Sequence, residues 1–587
     1  MRKALILAFS LILLILAASC ARTAVPISRF GYPVDGEPWY FIRVSITPPA
    51  AAAGTVCRVA RVEVDKARCR DFLLIQDGKE LNANEIRMDR PFEVKVRYGW
   101  LPKTTYAVDL TLEDAKSGRQ TSLGWSGTSP AGPGYWDSAW RNYLSLILSE
   151  ENGVARTNNL VHATVSVLSS YLRSPDEIRV VRAEPAAAGG VSYREVSSQV
   201  YDLVKWDDEK IMGTEEKDAR TGKPVVRYHP TTTLSVAFLA DLKPGSKATY
   251  LVFFNNPAAV KPVYASGLAV QKGANLARTI ENRYYKIALQ EKSGVIYEIT
   301  EKTTGLKLEH KLETNGAIQW NPDVYSPPHS WYHSSDWSDP VATEVEGPVF
   351  YSMNLKGTLP FPKGIAIGIR DRFYADSPVI MVESVIDIGE DIFVKALRDA
   401  EVVFNKAVFT KAAFKRDGRT EVLDLATSRM HPDHAAVLRP DTPWVCFFDE
   451  TKGIGFAVLY LDLATPNLGG GSASLEQPFI YIENGPWYYA SRGFVYSFAS
   501  NNQTRMLPVK AGSIYYERNA WIVFSYPKGE ALDAYLDAWF SQLRHPVAVA
   551  ENMETFAESP EGWIVPILTE PFEEGVKSAL GGTERRK

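Results

Sequence analysis

The sequence predicts an all-β protein with one helix near its end. Apolar and polar residues alternate over many short stretches rich in valine, isoleucine, tyrosine and phenylalanine, and turns with glycine or proline separate these stretches. Helical spacing of apolar residues returns only late in the chain, where one face would carry Leu532, Tyr535, Leu536 and Phe540. We therefore expect packed β-sheets against which this helix lies.

Length and charge limit the class of protein. The 587 residues, 45% of them hydrophobic, suffice for roughly two to four domains with apolar cores. The formal net charge of −4 gives no electrostatic case for binding nucleic acid or a strongly anionic membrane surface.

The N-terminus is typical of a secretory signal peptide, because a basic start, Met1-Arg2-Lys3, precedes an apolar run. The run ends in Leu-Ala-Ala-Ser-Cys20, which resembles a bacterial lipobox with Ala17 at the position where leucine is usual. This motif predicts lipidation of Cys20, and ordinary cleavage is the alternative. We expect a protein of the cell envelope, anchored outside the cytoplasm by its N-terminal lipid alone, or a secreted one.

The other cysteines fit an oxidising compartment. Cys57 and Cys69 are expected to form a disulfide between adjacent strands, and two buried free thiols are the alternative. Cys446 reads as a small buried hydrophobe. Because the sequence has no Cys-x-x-Cys pair, a structural zinc site of that kind is not expected.

Two β-domains are predicted ahead of the centre of the chain. Short alternating strands over residues 20–133 indicate a β-sandwich. Its segment Trp100-Leu-Pro-Lys-Thr-Thr-Tyr106 resembles the corner of fibronectin III-like domains, in which a tyrosine hydroxyl closes the loop. Residues 134–263 read as a second β-domain that ends in an apolar strand before Asn255-Asn256-Pro257.

The centre of the chain contains two predicted hairpins and an unusual loop. The first hairpin joins Tyr285-Lys-Ile-Ala-Leu to Val295-Ile-Tyr-Glu-Ile-Thr, and the second turns at Ala375-Asp-Ser-Pro378. Between them, residues 320–340 hold three tryptophans, two tyrosines, two histidines, three aspartates and four prolines. So many prolines and serines argue against a regular strand, and the aromatic residues then need a packing partner or a ligand.

These hairpins, with Glu346-Gly-Pro, resemble the first half of the galactose-mutarotase-like β-supersandwich found in carbohydrate-active enzymes. The second β-domain, residues 134–263, resembles the small β-barrel that precedes the supersandwich in exo-rhamnogalacturonan lyase-like proteins. Those lyases continue into a helical toroid, for which the residues from 525 to 587 are too few, so no catalytic residue is carried over from them. The predicted parts are residues 1–19, a lipoprotein signal peptide; 20–133, an Ig or fibronectin III-like sandwich; 134–263, a small β-barrel; 264–550, the supersandwich; and 551–587, a polar loose tail.

Two clusters concentrate residues able to transfer protons. His329-Ser-Trp-Tyr-His333-Ser-Ser-Asp336 and Arg429-Met-His431-Pro-Asp-His434 hold four of the eight histidines, which act near neutral pH or bind metals. Alternatively, such polar loops bond only their own backbone. We expect the two clusters to face each other across one cleft.

A polysaccharide lyase acting on uronic-acid glycans needs a base, an acid and a cation for the carboxylate. The candidates are His329 or His333 as base, with His431 and His434 as further proton carriers, Tyr332 or Tyr325 as acid, and Arg429 or Arg370 as the carboxylate partner. A hydrolase would instead pair carboxylates, for which the candidates are Asp336, Asp339, Glu344 and Glu483. A mutarotase-type epimerase is a further alternative.

The aromatic residues favour contact with a polysaccharide or oligosaccharide, since apolar ring faces meet the C–H faces of sugars. The expected substrate-binding residues are Trp320, Tyr325, Trp331, Asp336, Trp337, Arg370 and Trp487, the last among the tyrosines around Asn484-Gly-Pro. The same residues fit a non-catalytic glycan-binding or scaffold lipoprotein. The cofactor stays unassigned, a divalent cation being one option.

Overall fold

The computed structural model describes residues 25–48, 54–69, 71–81, 85–132, 135–137, 139–187, 190–206, 231–309, 316–320, 322–337, 339–426, 435–468, 477–482, 487–496, 506–526, 531–559 and 562–564. Strands dominate these residues, which confirms the predicted all-β class. The strands fall into three groups, which are called the first, second and third units. Among the described residues, no helix is long and apolar enough to cross a membrane.

The first unit is a two-sheet sandwich, as predicted. Its strands are β1 Val25–Pro26, β2 Arg29–Gly31, β3 Phe41–Ile46, β4 Val56–Val64, β5 Ala67–Cys69, β6 Phe72–Gln76, β7 Lys79–Glu80, β8 Glu85–Arg87, β9 Phe92–Arg97, β10 Thr105–Asp114 and β11 Gln120–Thr128. One sheet has the order β1-β11-β10-β4-β5, with β8 beside β4, and the other has the order β2-β3-β9-β6-β7. The predicted corner is confirmed, because the Leu101 backbone N–H donates to the Tyr106 hydroxyl oxygen at 2.6 Å.

The second unit also consists of two sheets. Its strands are β12 Asn142–Ser149, β13 Arg156–Leu168, β14 Arg179–Pro185, β15 Val191–Val196, β16 Ser198–Trp206, β17 Thr231–Leu242 and β18 Lys247–Phe254. The strands β13, β17 and β16 form one sheet, and the other has the order β15-β14-β18-β12 and continues into strands from the end of the chain. Apolar side chains of both sheets, such as Leu146 and Phe238, meet in one core. The predicted small barrel is therefore wrong, since two separate sheets pack face to face.

The third unit forms the large sandwich. Its strands are β19 Ala269–Lys272, β20 Arg278–Glu281, β21 Tyr285–Leu289, β22 Ile296–Glu301, β23 Lys307–Leu308, β24 Asp323–Tyr325, β25 Trp331–His333, β26 Val341–Glu346, β27 Phe350–Thr358, β28 Ile365–Tyr374, β29 Val379–Ile388, β30 Ile392–Val394, β31 Ala396–Asn405, β32 Lys411–Arg416, β33 Arg419–Asp424, β34 Ala435–Val437, β35 Trp444–Asp449, β36 Ile454–Asn467, β37 Gln477–Ile482, β38 Trp487–Tyr496, β39 Leu507–Val509 and β40 Ile514–Ser525. Both predicted hairpins are present, as β21–β22 and β28–β29.

Two large sheets of the third unit enclose the main core. The nine-stranded sheet has the order β26-β27-β28-β29-β40-β36-β35-β32-β33, and the six-stranded sheet has the order β25-β24-β31-β38-β37-β34. Side chains from both, such as Val382 and Val402, join one apolar cluster. The other face of the nine-stranded sheet packs against helix α1, Leu532–Arg544, through Leu532 and Leu536, as the sequence predicts.

The end of the chain differs from the prediction. Strands β41, Ala548–Ser559, and β42, Gly562–Ile564, extend the second unit, and β41 pairs antiparallel with β12. The expected loose tail thus begins inside a strand, because the exposed edge of β12 supplies hydrogen-bond partners that the local sequence does not reveal.

The predicted Cys57–Cys69 disulfide is not formed, and Cys446 is also a free thiol. In the β4–β5 hairpin Cys69 lies opposite Val62, whereas Cys57 lies opposite Ile86 of β8. Five residues of strand separate Val62 from Cys57, a distance of about 16 Å. A disulfide needs α-carbons within about 7 Å, so this register forbids it.

Candidate functional site

The tryptophan-rich segment folds back as a short hairpin on the edge of the six-stranded sheet. In this hairpin His333 lies opposite Asp323, and in the next strand Arg398 lies opposite Asp323 as well. Residues opposite each other in antiparallel strands point to the same face of a sheet. The register therefore places an imidazole, a carboxylate and a guanidinium in one row across three strands.

Arg398 is the centre of this row. Its Nε donates to Asp323 Oδ1 at 3.0 Å, and a second, shorter contact joins its Nη2 to the same carboxylate. Its Nη2 also lies 3.1 Å from Glu401 Oε2, and its Nη1 donates to the Tyr489 hydroxyl at 3.0 Å. All four side chains are buried, so the charges compensate one another within the sheet rather than through water.

The row carries an excess of acid, since Arg398 faces both Asp323 and Glu401. Burial raises the pKa of Glu401 above its ordinary range. The positive charge of Arg398 opposes this rise, and the negative charge of Asp323 adds to it. His333 closes the row towards the surface, where its Nδ1 lies 2.8 Å from Asp336 Oδ2 and its Nε2 lies 3.5 Å from Asp323 Oδ2. This arrangement can hold and pass a proton between an imidazole and carboxylates.

An aromatic platform lies on the same hairpin. We use this name for Tyr325 and Trp331, whose rings stack at a centroid distance of 4.8 Å and an angle of 15°. Both side chains are half-buried. The Arg398 guanidinium lies 3.9 Å from the Trp331 ring centroid, which fixes this ring from one side. The platform is therefore a preorganised, partly exposed aromatic surface beside the His333–Asp336 pair.

Other aromatic residues of the segment serve the core. Trp320 and Trp337 are buried, and their indole N–H groups donate to backbone oxygens of Ala317 and Ser293 at 2.8 and 3.0 Å. Tyr332 lies opposite Val324, on the other face of the hairpin from the platform, and packs against the main apolar core. The structure therefore does not bring these three predicted residues to the platform.

The remaining predicted residues are scattered. His329 is exposed and its ring contacts Phe361 at a centroid distance of 3.4 Å, rather than joining His333. Arg370 lies on the nine-stranded sheet, where its Nη1 is 3.6 Å from Glu383 Oε2. Trp487 begins strand β38, but its side chain lies outside the described residues.

The second histidine cluster stays a prediction, because Arg429, His431 and His434 lie outside the described residues, as does Glu483. The strand that follows them, β34, occupies the opposite edge of the six-stranded sheet from β25. Five strand spacings separate these edges, a distance of about 24 Å along the sheet.

The predicted hydrolytic carboxylates do not form a pair among the described residues. Asp336 faces His333, whereas Asp339 is exposed in the following loop. Glu344 accepts hydrogen bonds from Arg278, which together with the Tyr351 hydroxyl lowers its pKa to about 2. Within the same described part of the chain, no group of three or more His, Cys, Asp or Glu side chains is arranged to hold a metal ion.

The residues that sequence reasoning missed are Asp323, Arg398 and Glu401. A signal exists for two of them, because Arg-Asp-Ala-Glu interrupts an otherwise apolar strand, β31, that is buried almost throughout. The bulge after Asp399 gives Ala400 a φ of 51°, a strained value for a residue other than glycine. Bulges often turn a side chain towards a site. Here the register shift lies between Asp399 and Val402 and so separates the two acids of β31, Asp399 and Glu401.

Comparison with known proteins yields likenesses of fold alone. No family model matches the sequence, and no curated protein does. A family 38 glycosyl hydrolase structure from Enterococcus faecalis is similar, with 12% identity and a TM-score of 0.43, over 70% of this chain and 47% of that one. A galactose mutarotase-like protein from Lactobacillus casei shares 10% identity over 42% of this chain and 100% of its own, with a TM-score of 0.28.

A third similar structure is a GH36 α-galactosidase from Geobacillus stearothermophilus, with 9% identity and a TM-score of 0.27, over 44% of this chain and 40% of that one. The chain thus spans about half the length of the family 38 structure. Solved structures of galactose mutarotase-like proteins are among those it resembles, as the hairpins of the third unit predict.

Proposed function

We propose that this protein is carbohydrate-active and binds a glycan on the platform formed by Tyr325 and Trp331. The stacked, half-buried geometry of this pair carries the proposal. Flat aromatic faces attract the C–H faces of sugar rings, and a pair already fixed by Arg398 loses little conformational entropy on binding. Asp336, whose side chain is 30% exposed beside the platform, offers an acceptor for sugar hydroxyls.

The test compares Trp331→Ala with Trp206→Ala, a matched control on an exposed tryptophan of the second unit. Affinity electrophoresis against uronic-acid and neutral polysaccharides measures the retention of each variant. We expect Trp331→Ala to weaken binding of the recognised glycan about tenfold, because the ring that stacks against Tyr325 and holds it in the platform is lost, and the control to bind like the wild type. Equal retention of both variants would contradict the platform.

A second candidate function is β-elimination on uronic-acid glycans, as a polysaccharide lyase. It is favoured by the proximity of His333 to Asp323 and Asp336, in a row that also holds Glu401 with its raised pKa. The row supplies proton-transfer groups next to the platform. Arg398 is already held by two carboxylates, so a lyase would need its cation for the substrate from elsewhere.

Turnover tests this second function. If His333 is the base, His333→Ala should lower turnover by about 10² to 10⁴-fold with little change in binding. The assay follows the ultraviolet absorbance of unsaturated products on uronic-acid polysaccharides. Asp339→Asn, on the exposed loop beyond the row, serves as the control. A wild-type protein that binds these glycans but releases no unsaturated product would leave the binding function standing and remove the lyase.

We also propose that the protein is extracytoplasmic and attached to the membrane through a lipid on Cys20. The basic and apolar start of the sequence and the lipobox-like Leu-Ala-Ala-Ser-Cys20 support this location. Fractionation of cells that express the full chain tests it, since a protein found only in the cytoplasm would contradict the proposal.

A further inference from the structure

A second concave site lies away from the platform, where the second unit, the third unit and helix α1 meet. This junction cavity has a volume of about 430 Å³, which is in the range of small-molecule binding sites. Strand β13 lines one side with Asn159 and His162, strand β28 lines another with Arg372, and α1 contributes Trp539. Ligand sites occur preferentially at such junctions.

The charged residues that line the junction cavity are mostly basic. Arg283, Arg372 and Arg518 stand against a single carboxylate, Asp376. Arg283 is held only loosely, since its Nε lies 3.7 Å from Asp376 Oδ1 and its side chain is 58% exposed. A guanidinium with this freedom is able to turn towards an anionic ligand.

The other two arginines are oriented by acids that do not line the cavity. Arg372 Nη1 donates to Glu383 Oε1 at 2.9 Å, and Arg518 pairs with Asp462. The Nε of Arg518 is buried and has no hydrogen-bond partner among the described residues. This Nε is not accessible from the cavity, so a ligand there would meet the remaining part of the side chain, which is 29% exposed.

Aromatic and amide groups complete the lining. Trp539 and Tyr284 are half-buried, and the Arg283 guanidinium lies 4.7 Å from the Tyr284 ring centroid. Gln542 Nε2 donates to Asn159 Oδ1 at 3.3 Å across the junction. Aromatic faces beside amides and guanidinium groups suit a ligand with apolar C–H faces, hydroxyls and a negative charge.

We propose that the junction cavity binds a sugar bearing a carboxylate, such as a uronic acid residue of an oligosaccharide. The arginines hold the carboxylate, Trp539 and Tyr284 contact the ring, and the amide groups bond the hydroxyls. This inference does not depend on the platform, because the two sites are built from different residues.

Isothermal titration of the full chain with galacturonate and glucuronate oligosaccharides tests the proposal. The variants are Arg283→Gln and Arg518→Gln, and the matched control is Arg61→Gln, a half-exposed arginine of the first unit that pairs with Glu63 at 3.5 Å. We expect each cavity variant to bind uronates roughly tenfold or more weakly, because a charge-assisted hydrogen bond is lost, and the control to bind normally.

Four outcomes would overturn the proposal. Uronates do not bind, or they bind no better than the matched neutral oligosaccharides, or both cavity variants bind them like the wild type. Competition by inorganic phosphate at equal strength would show a general anion site and would also reject the sugar. Trp331→Ala should leave uronate binding to the cavity unchanged, which separates this result from failure of the platform.

Discussion

At the scale of single residues, the interior of the third unit is unusual for its buried acids. Asp371 is fully buried, and its Oδ1 accepts one hydrogen bond, from Gln319 Nε2 at 3.1 Å, while its Oδ2 has no partner among the described residues. Burial raises its pKa from 3.8 to about 7. The folded protein therefore binds a proton at this carboxyl more tightly than the unfolded chain does.

This difference makes stability depend on pH. Between the unfolded pKa of 3.8 and the folded value of about 7, the native state holds the extra proton, so the free energy of unfolding falls as pH rises through that window. Asp371→Asn removes the ionisation, and we expect it to stabilise the protein at pH 8 relative to pH 4 by up to about 4 kcal/mol. Urea unfolding at both pH values measures the effect.

Asp387→Asn, on an exposed position of the same sheet, is the control for this measurement and should change stability alike at both pH values. If Asp371→Asn shifts the unfolding free energy equally at pH 4 and pH 8, the carboxyl does not titrate within the window. The raised pKa would then be wrong.

The sequence predicted part of the candidate site at this scale. The tryptophan-rich segment, His333 and Asp336 were identified because aromatic rings, imidazoles and carboxylates rarely concentrate in one loop. Arg398 was not, since charges inside an apolar strand signal only that they are buried, and the register is needed to show that Asp323 lies opposite. Which tryptophans reach solvent also depends on the fold, and Trp320 and Trp337 fill the core instead.

At the scale of elements, the sequence predicted features whose residues are neighbours in the chain. The Tyr106 corner was predicted from the resemblance of its segment to fibronectin III-like corners, in which loop and strand are adjacent in sequence, and the hydroxyl accepts the Leu101 N–H. The short strands β24 and β25 were not, because prolines and serines argue against them and only pairing with β31 makes them form. Strand β41 was also missed, because its acidic sequence has weak strand propensity and its partner β12 is distant in the chain.

The corner gives a prediction for the first unit. Tyr106→Phe removes the acceptor of the Leu101 N–H at the start of an exposed loop, and we expect a loss of about 0.5–1.5 kcal/mol, the net contribution of one hydrogen bond. Thermal unfolding measures this loss. Tyr32→Phe is the matched control, because the Tyr32 hydroxyl in the same core is buried without a partner among the described residues. Equal stability of the two variants would show that the corner bond contributes nothing.

At the scale of the whole molecule, the described parts of the three units contact one another directly. Tyr143 and Phe253 of the second unit belong to the core of the first. The Gln199 side chain accepts the backbone N–H groups of Val349 and Phe350 at 3.2 and 3.0 Å. Arg156, buried in the second unit, donates to the backbone oxygen of Gln542 at the end of α1 at 2.7 Å.

Removal of β41 should therefore damage the second unit. A chain that stops after Val547 leaves β12 as an open edge whose residues are nearly all buried. Unpaired edges associate with other chains, so we expect aggregation on size-exclusion chromatography. A chain that stops after Ile564 keeps β41 and β42 and should remain monodisperse. If both chains elute alike, β41 is dispensable for the fold.

The pairing of β12 with β41 also determines when the second unit can complete its sheet during synthesis. A ribosome adds about 5–20 residues per second, so β12 is complete on the order of tens of seconds before its partner has been synthesised. During that delay the growing chain exposes an apolar strand edge, and this edge stays open until the third unit and α1 have been made. Chaperone binding to nascent chains should therefore persist until synthesis is nearly finished.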